Sequence, residues 1–197
     1  WEEFVKHNGD RGPMSIMPML AIDVAELGGD LNVATLRFDF FVARQLIWSG
    51  VDITVTAAEA SKIYQFNRCC GAWVDSNGVG AGVAPLMRKE KCKAYRIMTA
   101  GSATQNIDLG EFGRIRDQGW WFFREWLRTN PQAMLPPCEI LKEELMAMHY
   151  YKDGKNKIRV TSKDVLKDRL KRSPDRSDSI MLSFCPIPEE SDGSELR

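Results

Sequence analysis

Short apolar runs of strand length alternate along this chain with longer stretches of helical period. Residues 17–24 (MPMLAIDV) read as a buried strand with Asp23 near its end. A turn at Gly28-Gly29-Asp30 follows. Residues 31–40 alternate in their second half and predict a second strand, and residues 43–48 predict a third that closes an antiparallel meander. Thr56-Ala57-Ala58-Glu59 has the form of a capping box and predicts a helix over 57–68. A strand at 70–74, a glycine-rich turn, a helix over 81–90 and a short strand at 94–98 come next.

The second half reads as helical. Residues 111–128 carry Trp120, Trp121, Phe123, Trp126 and Leu127 on one broad apolar face. Pro136-Pro137 interrupts the chain, and a helix over 137–148 follows with Ile140, Leu141, Leu145 and Met148 as its stripe. A turn at Asp153-Gly154, a strand over 157–161 and a helical turn capped by Ser162 lead to Ser173-Pro174-Asp175, which opens a last helix. Residues 1–14 read as a linker or extended arm, 15–186 as the folded domain and 187–197 as a polar tail. The order predicts an α/β fold with a mixed central sheet, three antiparallel strands followed by parallel crossovers, flanked by helices.

Composition narrows the classes. The chain has 197 residues, 44% hydrophobic and 27% charged, which suits one ordinary hydrophobic core. No apolar run reaches the roughly 18 residues of a membrane helix, so no membrane partner is expected. Five cysteines without C-x-x-C spacing suggest neither a disulfide framework nor a zinc site. Two histidines, His7 and His149, argue against histidine-based catalysis. The net charge is zero, yet residues 155–176 hold nine basic side chains against three aspartates, either a solvated mixed surface or a phosphate-attracting rim.

Three aspartates sit where local packing does not explain them. Asp23 and Asp75 end apolar strands, and Asp175 opens the last helix. A carboxylate at the edge of a buried strand is costly unless it meets a cation or donors. If the two strands are neighbours and the helix packs across them, the three carboxylates converge, and like charges so close need a cation between them. Mg²⁺ or Mn²⁺ suits oxygen ligands of this kind. Asp175 could instead cap its helix, Asp75 could shape an Asx turn, and Asp178 could be a second ligand or a solvated charge. The turn after Asp75 (VDSNGVGAG) lacks the G-x-G-x-x-G spacing of dinucleotide folds, and no Walker-type loop occurs anywhere. The glycines there read as the mounting of an aspartate rather than as a phosphate cradle.

AIDVAELGGD, WVDSNGVGAGV and IRVTSKDVLKDRLKRSPDRSDSIMLSF, in that order, resemble the C-terminal nuclease domain of tailed-phage terminase large subunits over about residues 18–184. The resemblance implies a ribonuclease H-like fold and a metal-dependent endonuclease, with two Mg²⁺ or Mn²⁺ ions held by Asp23, Asp75 and Asp175 and with Asp178 alongside.

 The implied activity is hydrolysis of double-stranded DNA, cutting a concatemeric viral genome with little sequence preference. Lys163, Lys167 and Arg176 are the expected contacts to backbone phosphate. The resemblance further implies an ATPase domain of the same protein ahead of residue 1, a small terminase subunit and a portal as partners, and action in the host cell cytoplasm. The family often has two consecutive aspartates at the last site, where this chain has Pro174-Asp175, which leaves the division of metal contacts between Asp175 and Asp178 open. Two rivals stand beside this reading. One is another ribonuclease H-like enzyme, of resolvase or transposase type. The other is a non-catalytic nucleotide- or DNA-binding module, since the Asp23 and Gly28-Gly29 segment faintly resembles the phosphate loops of actin-like ATPases.

Overall fold

The computed structural model describes residues 1–8, 16–25 and 31–188. The expected Gly28-Gly29-Asp30 turn and most of the polar tail lie outside the described residues. Five strands form the central sheet: β1 (Met19–Asp23), β2 (Asn32–Arg37), β3 (Leu46–Trp48), β4 (Gly71–Asp75) and β5 (Ala94–Ile97), in the order β3-β2-β1-β4-β5. β1, β2 and β3 pair antiparallel, while β1–β4 and β4–β5 pair parallel. This is the mixed sheet that the pattern of runs predicts.

β1 and β4 lie at the centre and are covered on both faces, which is why their sequences are unbroken apolar runs. Leu20, Ile22, Ala72 and Val74 face α2 (Ile53–Phe66) and α3 (Val83–Lys89) in one core cluster. Ala21 and Trp73 face the opposite way, into a second cluster with residues of α4 (Ile115–Thr129), α5 (Glu139–Ala147) and α7 (Asp175–Leu182). The period of two puts Asp23 on the Ala21 face and Asp75 on the Trp73 face. Both carboxylates are thereby directed to the side where α7 packs.

α7 crosses β1 and β2 closely because the contact is made by small residues. Ser179 Oγ shares a hydrogen bond with Thr35 Oγ1 (2.8 Å) and donates to the Val33 carbonyl (2.8 Å). Ser183 Oγ accepts from Arg37 Nε (2.8 Å). Two small hairpins complete the molecule: β6 (Asn106–Ile107) with β7 (Gly110–Glu111), and β8 (Tyr150–Lys152) with β9 (Ile158–Val160). α6 (Lys163–Leu170) follows β9 directly.

Several expectations are corrected. Residues 2–8 form a helix, α1 (Glu2–Asn8), rather than an extended arm, and Trp1, Phe4 and Val5 pack on the core. α2 begins a turn earlier than the T-x-x-E pattern suggests, because Asp52 Oδ1 caps it by accepting from the Thr54 and Val55 amides. Residues 111–114 belong to β7 and the turn after it, so α4 starts at Ile115. The segment after Ser162 is a full helix of eight residues, not a single turn.

Candidate metal and nucleic-acid site

Asp23 and Asp75 end adjacent parallel strands whose register, Ala21 with Trp73 and Ile22 with Val74, brings the two aspartates side by side. α7 crosses this edge and contributes Asp175 and Asp178 from its first turn. The four carboxylates, from three distant parts of the chain, open on one cleft of about 370 Å³. Asp23, Asp175 and Asp178 are each buried.

A lysine stands among them. Ser162 caps α6 by accepting from the Val165 amide, which makes Lys163 the first helical residue. A cation is unfavourable at a helix N-terminus, so the carboxylates must account for its position. Lys163 Nζ lies 3.6 Å from Asp23 Oδ2, 3.9 Å from Asp175 Oδ1 and 3.5 Å from Asp178 Oδ2. Burial opposes its charge, but the combined fields of Asp23, Asp178, Asp175 and Asp75 outweigh burial and raise its pKa. Lys163, expected as a contact to backbone phosphate, stands among these carboxylates as their counter-ion.

Asp175 and Asp178 share a pattern in which one oxygen is tethered and the other faces Lys163. Asp175 Oδ2 accepts from the Leu31 amide (3.1 Å), leaving Oδ1 toward Lys163. Asp178 Oδ1 accepts from Arg116 Nη2 (3.2 Å), leaving Oδ2 toward Lys163. Asp75 Oδ1 accepts from the Asn77 amide (3.2 Å) and from Asn77 Nδ2 (2.8 Å), and Asn77 Nδ2 also bonds Thr99 Oγ1. Asp23 Oδ2 is buried and has no hydrogen-bond partner among the described residues. Burial pushes the Asp23 carboxyl well above its ordinary range, with Asp178, Asp75 and Asp175 adding to the rise against Lys163. Burial likewise raises Asp75, to about 6.

The glycine turn serves this geometry. A Cβ on Gly80 would stand 2.1 Å from the Asp75 carbonyl oxygen and 3.1 Å from Val24 Cβ, so only glycine allows the chain to fold back on the strand end. Gly78 adopts φ +61° in the same turn and lines the cleft.

The donor set fits a hard divalent cation: four carboxylates, inward-facing oxygens, and one buried oxygen lacking a donor. The oxygens surround an ammonium rather than closing to coordination distance. Among the described residues no three acidic, histidine or cysteine side chains stand close enough to hold a metal as they are.

Cations rim the cleft. Arg114, Arg116 and Lys167 line it with Lys163, whereas Arg176 does not. Arg176 is held through its backbone carbonyl, which accepts from Gln45 Nε2 (2.8 Å). Arg116 is a site residue that sequence reasoning misses, tied to the Thr161 carbonyl (2.8 Å) as well as to Asp178. Both partners lie far from it along the chain, so no local pattern signals its role. Asn77 as the partner of Asp75, and Thr99 as the partner of Asn77, are equally invisible, although Asn77 lies within the turn that the sequence singles out.

No family model and no curated protein matches the chain. Solved structures do. The nuclease domain of the large terminase subunit gp2 of bacterial virus Sf6 superposes with a TM-score of 0.69 at 19% identity, over 87% of this chain and 89% of that one. A lysine-to-alanine mutant of the same domain, with manganese and beta-thujaplicinol, gives 0.70 at 18% identity, over 87% and 89%. The large terminase nuclease from thermophilic phage G20c with bound magnesium gives 0.63 at 13% identity, over 86% and 80%. The chain therefore has the ribonuclease H-like fold of these nuclease domains.

Proposed function

We propose that this chain is the metal-dependent endonuclease domain of a viral DNA-packaging terminase, residues 15–186 forming the nuclease unit. The observation that carries the reading is the convergence of Asp23, Asp175 and Asp178 within 4 Å of one cationic atom, beside Asp75, at the edge of a sheet shared with known terminase nucleases. The substrate is double-stranded DNA. The ATPase domain of the same protein, a small terminase subunit and a portal are the partners that go with this reading, and the host cytoplasm is its setting.

Asp23, Asp75, Asp175 and Asp178 would together hold two Mg²⁺ or Mn²⁺ ions. Such ions, when bound, lower the pKa of a water and offset charge on the phosphate under attack. Arg116 and the Leu31 amide hold one oxygen of Asp178 and of Asp175 aside, which leaves the inward oxygen of each free to coordinate. Asn77 does the same for Asp75. Lys163 keeps its proton, neutralises the carboxylates before metal arrives, and can then turn its ammonium to a phosphate oxygen. Arg114 and Lys167, at the rim, would hold backbone phosphates and contribute no base selectivity.

The test is supercoiled plasmid incubated with purified protein in Mn²⁺, Mg²⁺ or chelator, with Asp23→Ala and Asp75→Asn as controls. Nicking and linearisation that need the metal and vanish in both variants support the reading. Full metal-dependent cleavage by folded Asp23→Ala would refute the assignment, and cutting confined to branched DNA would favour a resolvase.

A further inference from the structure

Asp175 and Asp178 hold their positions only as well as the first turn of α7 does, and that turn has no cap of its own. Pro174 stands at the N-cap and makes no side-chain hydrogen bond. The orphan amides of a helix start must then be met from elsewhere. Ser177 N–H donates to Glu144 Oε2 (2.7 Å), and the Arg176 carbonyl accepts from Gln45 Nε2 (2.8 Å). These two backbone groups belong to one peptide unit, the one joining residue 176 to residue 177. It lies midway between the two aspartates.

We infer that Gln45 and Glu144 form a clamp on this peptide and act as positioning residues for the cation site. A planar peptide gripped at its N–H and at its carbonyl cannot rotate about the helix axis. Asp175 and Asp178, three residues apart, share one face of the helix, so fixing that peptide fixes both carboxylates together. The clamp arms are themselves rigid. Glu144 is 1% exposed, on α5, and Gln45 is 8% exposed, just before β3. The second Nε2 hydrogen of Gln45 is placed on Thr35 Oγ1 (2.9 Å), and Thr35 pairs with Ser179 of the same helix. The two arms come from opposite halves of the sequence, and neither lines the cleft.

The inference rests on the reading of Asp175 and Asp178 as metal ligands, and its test is built to fail separately. Glu144→Ala, Gln45→Ala, Glu144→Gln and a core control on the same helix, Leu141→Ala, are compared with the wild type. Two measurements do not use activity: amide exchange at residues 176–178 without metal, and the Mn²⁺ concentration giving half of the maximal rise in melting temperature. Glu144→Ala and Gln45→Ala are expected to exchange faster there and to need about tenfold more Mn²⁺, or beyond. Glu144→Gln keeps an acceptor for the Ser177 amide and should stay within about twofold of wild type. Leu141→Ala should lose stability and keep the wild-type Mn²⁺ dependence. If Glu144→Ala does not fold, Gln45→Ala carries the test from the carbonyl side. Clamp variants with wild-type Mn²⁺ dependence, or a core control shifted equally, overturn the inference. A wild type stabilised by Mn²⁺ that cuts no plasmid overturns the nuclease reading and leaves the clamp standing. A wild type indifferent to Mn²⁺ overturns both.

Discussion

Replacing Lys163 by methionine removes the one positive charge that three buried aspartates share. Its ammonium sits 3.5, 3.6 and 3.9 Å from Asp178, Asp23 and Asp175. At an effective dielectric of about 20 each such pair is worth ~4 kcal/mol gross, and the ammonium's own desolvation removes much of the sum. Removing one partner of a buried ion pair costs about 3–5 kcal/mol. The Lys163 side chain is 38% exposed, so solvent screening lowers the expected loss to roughly 2–3 kcal/mol. For a chain of this length that is a fall in melting temperature of about 4–12 °C in chelator at pH 8. The pH dependence has a definite sign. A carboxyl whose folded pKa is raised contributes stability when protonated and loses it as pH rises through the folded pKa. Asp23 and Asp75 are raised already, and without Lys163 they rise further. The deficit of Lys163→Met should therefore shrink between pH 8 and pH 5. Mn²⁺ would restore positive charge at the same place, adding ~2.7 kcal/mol at a hundredfold excess over its dissociation constant. Calorimetry or thermal shift at two pH values, with chelator and with Mn²⁺, measures all three effects. A deficit that is equal at both pH values and unmoved by Mn²⁺ would refute the reasoning.

Other substitutions probe separate parts of the structure. Gly80→Ala should destabilise by about 1–3 kcal/mol and impair metal-dependent cutting, because its Cβ meets the Asp75 carbonyl. Gly154→Ala, with open space around it, should change stability by less than about 0.5 kcal/mol in chemical denaturation. Burial raises the Glu144 carboxyl to about 7, so wild-type stability should decline as pH rises from 4.5 to 7. Glu144→Gln should flatten that slope, and an unchanged slope would place the titration elsewhere. Arg114→Ala and Lys167→Ala should each weaken DNA binding, and each should lower the salt slope by about 0.9. An unaltered slope would remove that side chain from the phosphate path.

Much of the sheet was legible along the chain, because strands covered on both faces must be apolar throughout and strand ends must be marked by turns. The runs around Ala21 and Trp73 gave β1 and β4 away for that reason. Asp23 and Asp75 stood out because nothing in a buried strand explains a carboxylate at its end, and Ser173-Pro174-Asp175 announced α7 by its local chemistry. Helix starts were less legible. Asp52 outcompeted the Thr56 pattern, and the two-residue strands β6 and β7 carry too few positions for a period to show.

What only the tertiary structure decided is who stands beside whom. Lys163 had the appearance of one more basic residue on a charged segment, and its place among three aspartates follows from α6 and α7 both packing on α5. Arg116, Glu144 and Gln45 had no local signature, because their partners are Asp178, Ser177 and Arg176, brought to them by packing. Hydrophobic period is written in neighbours a few residues apart and can be read from the chain. The pairing of buried charges depends on distances set by the whole core, and it can be read only once that core is formed.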